Sequence, residues 1–185
     1  MQQVLDYTAF PSGAALLPMT ALIMLGMIVL APRIMGAFGP KVPIVAGLLI
    51  LAIGMGWLSL IRPDGNFWVD VLPASLVAAL GMSLAFIPSL GTAISSARPE
   101  EGGLAAGIVN TSYQVGSALG LAAMTAIAAA FGADQLGNAQ ALTDGFSAAF
   151  LGAGAIALVG SGIALVTLRR TPAAEPAKDT DVTTT

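Results

Sequence analysis

The chain has no cysteine and no histidine. Without cysteine there is no disulfide, no thiol nucleophile and no thiolate metal ligand; without histidine there is no imidazole base, no imidazole proton relay and no common nitrogen ligand for a metal. Most hydrolytic and redox mechanisms lose their usual parts, so the sequence predicts neither an enzyme nor a bound metal or cofactor. Charge is scarce as well, at 9% of residues, with 7 Lys and Arg against 10 Asp and Glu. The resulting net charge of −3 identifies no partner, because several of the acids sit in connecting segments and in the C-terminal tail. No basic stripe suits a nucleic acid. Residues 1–11 contain Asp6 and lack a basic stretch followed by an apolar core, so they do not read as a cleavable signal peptide.

What the chain has is apolar surface. A hydrophobic fraction of 56% and a mean hydropathy of +0.87 exclude an ordinary soluble globule, and the expected solvent is a lipid bilayer. The expected fold is an all-α membrane protein. Five apolar stretches reach the roughly 20 residues needed to cross a bilayer as helix. They fall at residues 12–35, 42–61, 71–95, 103–131 and 146–168, after a short lead-in at 1–11 and before a tail at 171–185 that is rich in Thr, Pro and Ala. That tail has nothing to bury and is expected to be disordered.

The first span has Ser12 as its expected N-cap, Pro18 in an early turn and Pro32 near its end, where a proline should end or bend the helix. A tight loop at 36–41 follows, with Gly39-Pro40 as its turn signal. The second span carries Gly47, Gly54 and Gly56, positions where helices can approach closely, and Trp57 near its far end. Trp68 occupies a similar place before the third span, and both tryptophans are expected at the membrane interface. Pro88 lies deep in the third span, where it removes a backbone hydrogen bond and should kink the helix, and Met24, Met27 and Met55 read as flexible apolar filling. Residues 132–145 are polar and read as a flexible loop before a Gly-rich fifth span that ends at Arg169-Arg170.

The fourth span organises the rest. It follows the turn Arg98-Pro99-Glu100-Glu101 and has no charged residue from Gly103 to Phe131. Placed at about 100° per residue, Gly103, Gly107, Asn110, Gln114 and Ser117 share one stripe, and Val109, Ser112, Gly116 and Gly120 share another. The carboxamides of Asn110 and Gln114 find no partner in hydrocarbon. They must bond to neighbouring helices or face a water-filled cavity, and the sequence leaves both open. Gly116 and Gly120 form a G-x-x-x-G pair that lets another backbone come close.

Threaded alternately, Arg33, Lys41, Arg98, Arg169, Arg170 and Lys178 fall on one side of the membrane and Arg62 on the other. The excess of positive charge predicts a multi-pass protein of the cell membrane with its C-terminus in the cytoplasm. With five spans, Met1 then lies outside; either the first span translocates its N-terminus or the chain is the rear portion of a longer protein.

The order of QQVLDYTAFPSGAALLPMT, APRIMGAFGPK, the Pro88 span, RPEEGGLAAGIVNTSYQVGSALG and ALTDGFSAAF resembles the last five spans of a major facilitator superfamily transporter, in the fourteen-span drug:proton antiporter branch. The resemblance covers most of the chain, and Asn110 to Gly120 is its most specific part. It implies the C-terminal part of a multidrug exporter that works by alternating access, exchanging a proton for a small amphipathic compound. It also implies that Asn110, Gln114 and Ser117 line the substrate cavity, that Arg33, Gly39 and Lys41 match a cytoplasmic gating loop, and that Pro88 lets the third span flex. Gly36 and Ala37 depart from the pattern, standing where the family usually has an acid and an arginine. The missing N-terminal helices would have to be supplied in cis or in trans, and the chain is expected to be inactive alone. A small membrane scaffold or assembly subunit binding through its Gly-rich faces, and a non-functional remnant of a truncated transporter gene, are the alternative readings.

Overall fold

A computed structural model describes residues 17–61, 67–135 and 137–168. The lead-in, the Ser12 cap, Arg62, Arg169, Arg170, Lys178 and the tail lie outside the described residues. The fold is all-α: among the described residues, five helices are long and apolar enough to cross a membrane. They are α1 (Leu17–Phe38), α2 (Lys41–Leu58), α3 (Phe67–Ser95), α4 (Pro99–Ala133) and α5 (Ala139–Thr167).

Prolines shape two of the helices without ending them. In α1 a π-helical turn, Gly26–Leu30, precedes Pro32, and the helix continues to Phe38. Of the end or bend expected at Pro32, the helix makes no end there and takes a widened turn instead. The physical reason is that a proline ring collides with the carbonyl four residues back, and a π turn opens the ladder there. The same device opens α3, where the π turn Phe67–Val71 precedes Pro73. Further along α3, Pro88 is fully buried and the helix runs through it unbroken. The Thr92 hydroxyl donates to the Pro88 carbonyl at 2.7 Å.

Helix ends follow local chemistry. Gly39, at φ 73°, ends α1, and its amide donates to the Met35 carbonyl at 2.9 Å. Gly132, at φ 102°, sits in the π turn Ala129–Ala133 that closes α4, a conformation few residues with a Cβ adopt. The fifth helix starts at Ala139, seven positions before the apolar stretch that announced it. Asn138 caps it, its side chain accepting from the Ala141 amide at 3.2 Å, and Leu142, Thr143 and Gly145 are buried. Residues 139–145 are thus helix rather than flexible loop: a good N-cap and contact with the end of α4 outweigh their polar composition.

The core is the set α2, α3 and α5. A Cβ placed on Gly54 would stand 2.5 Å from the Ala78 backbone nitrogen, and one on Gly47 would stand 2.6 Å from that of Ala85, so α2 and α3 meet backbone to backbone. Gly81 faces Leu51 from the other side of the same contact. Such approaches gain dispersion contacts that lipid tails do not match. On the opposite flank of α2, buried Ser161 of α5 donates from Oγ to the Val45 carbonyl at 3.4 Å. Gly26 packs α1 onto α3 at Ser83, whose side chain is fully buried and whose Oγ donates to the Leu80 carbonyl. Trp57 and Trp68 lie near helix ends and are exposed, as interfacial indoles should be.

Candidate substrate-facing wall

The fourth helix is the exception to this packing. Only 6% of its most apolar stretch is buried, against 44% in α3 and 33% in α2. It is held at two places. Near its middle, the Tyr113 ring meets Phe86 of α3 edge to face, with centroids 5.7 Å apart and planes at 72°. At its C-terminal end, Met124 and Ile127 lie under Gly152 of α5, and the Ala128 carbonyl stands 2.5 Å from where a Cβ on Gly145 would be.

Tyr113, Met124 and Ile127 fall within about 60° of one another around the helix axis. Asn110 and Gln114 lie about 60° and 100° to one side of Tyr113, beyond that contacting face, whereas Ser117 lies within about 20° of Met124 at its edge. All three side chains are exposed, and among the described residues none of them makes a hydrogen bond. Thr111, by contrast, satisfies itself, donating from Oγ1 to the Gly107 carbonyl at 2.9 Å. No described residue lies within 4 Å of a Cβ built at Gly116 or Gly120. The close approach expected at that pair is therefore not made inside this chain; the pairs that do interlock, Gly47 with Gly81 and Gly54 with Ala78, are on α2 and α3.

The loop residues separate as well. Arg33 is exposed on the last turns of α1, Gly39 is buried, and Lys41 opens α2. The Lys41 ammonium donates to the Leu165 carbonyl at 2.6 Å. Leu165 lies in the final turn of α5, where carbonyls have no amide partner within the helix and the helix dipole is negative. The structure joins Lys41 to α5 and leaves Arg33 apart from it. The acids behave as loop and end groups: Asp134 follows α4, and Asp144 accepts from Gln140 one turn away at 3.0 Å. Tyr113 and Phe86 went unmarked in the sequence. The signal for Tyr113 was its place between Asn110 and Gln114; nothing in the sequence pairs it with Phe86.

The chain matches the Major Facilitator Superfamily model over residues 21–183. It is 34% identical to the puromycin resistance protein pur8 of Streptomyces alboniger over 78% of this chain and 30% of that protein. It is 30% identical to the cephamycin export protein CmcT of Amycolatopsis lactamdurans, over 82% of this chain and 31% of the relative. The multidrug resistance protein Stp of Mycobacterium tuberculosis (strain H37Rv) is 30% identical, over 71% of this chain and 24% of its own length. The chain spans about a third or less of each of these relatives.

Proposed function

We infer the function from one premise: the chain belongs to the major facilitator superfamily. Its membrane domain, residues 12–170, supplies the last five spans of a drug exporter of the kind its relatives' names describe, and α4 forms one wall of the cargo cavity. The observation that carries this reading is the contrast within the bundle. Helices α2 and α3 interlock backbone to backbone and α5 packs on α2, whereas α4, held only near Tyr113 and at its C-terminal end, shows three exposed polar side chains with no hydrogen bond among the described residues. A polar stripe against lipid costs free energy; against a hydrated cavity between two helical halves it does not.

In that arrangement the export step is alternating access, with a small amphipathic compound leaving as a proton enters. The coupling acids belong to helices outside this chain, since the described acids lie at helix ends and loops. The Lys41 contact supports a cytoplasmic C-terminus: it puts the positive loop after α1 and the end of α5 at the same face of the bundle. A helix from the first half of the transporter would seat at Gly116 and Gly120, where no described residue lies within 4 Å of an added Cβ. Helices from a longer chain, or from a second polypeptide, complete the cavity, and the five spans alone move nothing.

The test is efflux of puromycin from cells expressing either these five spans alone or the same spans joined to the part of the Streptomyces relative that precedes the matched region. Export by the joined protein and none by the five spans is the expected result. Unaltered export after Gln114→Ala and Asn110→Ala in the joined protein would return both amides to a packing role, and export by the five spans alone would refute the one-wall arrangement.

A further inference from the structure

We propose that Tyr113 is a specificity-determining residue of this wall: its ring face, flanked by the amides of Asn110 and Gln114, selects cargo that carries an aromatic ring with neutral hydrogen-bonding substituents. The proposal rests on the cargo-facing reading of α4 and adds to it the chemical class of the ligand.

Tyr113 is gripped on one side and free on the other. Phe86 holds the ring edge to face at 5.7 Å and 72°, yet the residue keeps 52% of its surface exposed. Phe86 is half-buried on α3, the most buried helix of the five. The aromatic contact therefore costs little ordering when a ligand arrives, and a ring fixed on one side offers its other side for stacking. The phenol makes no hydrogen bond among the described residues, so its O–H is available to a ligand acceptor.

Its neighbours supply bonding without charge. Asn110 precedes Tyr113 by one helical turn and Gln114 follows it directly, and each carboxamide presents both a donor and an acceptor. The nearest acids on the same helix, Glu100 and Glu101, lie at its start, roughly 18 Å along the axis from Tyr113 at 1.5 Å per residue. This stretch of α4 discriminates by ring stacking and neutral hydrogen bonds and itself gives a cation no counter-charge. It is a different recognition chemistry from an intramembrane carboxylate, which would favour organic cations irrespective of their rings.

The absence of cysteine gives a direct test. In the protein joined to the preceding part of the Streptomyces relative, a Ser117→Cys variant carries the one thiol of these five spans, on the amide stripe. The rate at which that thiol is alkylated by N-ethylmaleimide is measured in native membranes with and without chloramphenicol, a neutral nitroaromatic, or octanol, an aliphatic control. Chloramphenicol should slow the reaction and octanol should not. Adding Tyr113→Ala should raise the chloramphenicol concentration needed for half-protection by about 2- to 10-fold, the range an aromatic contact supplies, while Tyr113→Phe keeps most of the effect. Protection that is unchanged by Tyr113→Ala, or equal protection by octanol, overturns the role of Tyr113 and leaves the cargo wall standing. A Ser117→Cys thiol that never reacts, or that no compound protects, overturns the wall itself and the specificity assignment with it. Membrane abundance of each variant, followed by immunoblot, separates loss of protein from loss of protection.

Discussion

Lys41 and Leu165, 124 positions apart in sequence, meet where α2 begins and α5 ends: the lysine ammonium donates to the leucine carbonyl at 2.6 Å. The contact does two things at once. It satisfies a carbonyl that the end of a helix leaves without an amide, and it puts a positive charge at the negative end of the α5 dipole. In the loop where the family pattern would place an acid, Gly36 and Ala37 give Lys41 no carboxylate, and the helix terminus serves as its counter-charge.

Lys41→Met should therefore lower the thermal stability of the bundle modestly, by about 0.3–1 kcal/mol, the usual worth of a cation at a partly exposed helix C-terminus. Lys41→Arg should keep most of it, because a guanidinium also reaches a carbonyl. Thermal unfolding in detergent at low and high salt measures both, and the wild-type advantage should shrink as salt screens the dipole.

Gly54 and Gly81 should tolerate no side chain. A Cβ at Gly54 meets the Ala78 backbone at 2.5 Å and one at Gly81 meets the Leu51 backbone, and neither neighbour can swing away as a flexible side chain would. Gly54→Ala and Gly81→Ala should each destabilise by about 1–3 kcal/mol, the range for overpacking, whereas Gly56→Ala, with nothing within 4 Å, should be silent. The fraction of protein that survives heating in detergent gives the ranking.

How far the sequence led depends on which forces decide each feature. The number and rough placement of the spans follow from hydropathy, because lipid imposes its length on every helix that crosses it. Helix ends were harder. The start of α5 at Ala139 rests on the Asn138 cap and on contact with α4, and the polar residues Gln140, Thr143 and Asp144 hid it. Pro32 predicted an end or a bend, and a π turn at Gly26–Leu30 takes up the proline instead, a backbone adjustment with no residue signature of its own. At the candidate wall, the stripe of Asn110, Gln114 and Ser117 was readable from a period of 3.6 residues, because helix geometry alone puts them together. The Tyr113 and Phe86 contact was not, since it depends on how two helices far apart in sequence come to lie together.

Asn138→Ala should cost about 1 kcal/mol, as removal of a side-chain cap does elsewhere, and the loss should be local to the first turns of α5. Asn138→Asp should be tolerated, because a carboxylate accepts from the Ala141 amide and favours the positive end of the helix. Amide hydrogen exchange over residues 139–145 reads the effect, with faster exchange expected there and little change in residues 150–165.

Gly120→Leu separates a helix packed by its own chain from one packed by something else. With nothing within 4 Å of an added Cβ, a leucine placed there in the five-span chain finds room in the gap between the two places where α4 is held and should leave heat stability within about 0.5 kcal/mol of the parent, the scatter of substitutions that touch nothing. In the protein joined to the preceding spans, the same leucine should hold off the incoming helix and lower both folded yield and export, because close approach at small residues is what such an interface offers in lipid. The comparison of yields is informative in either direction. Equal loss in both forms would mean that Gly120 already packs against this chain's own helices, and equal tolerance in both would mean that no helix seats on this face of α4 and that the missing half of the cavity lies elsewhere.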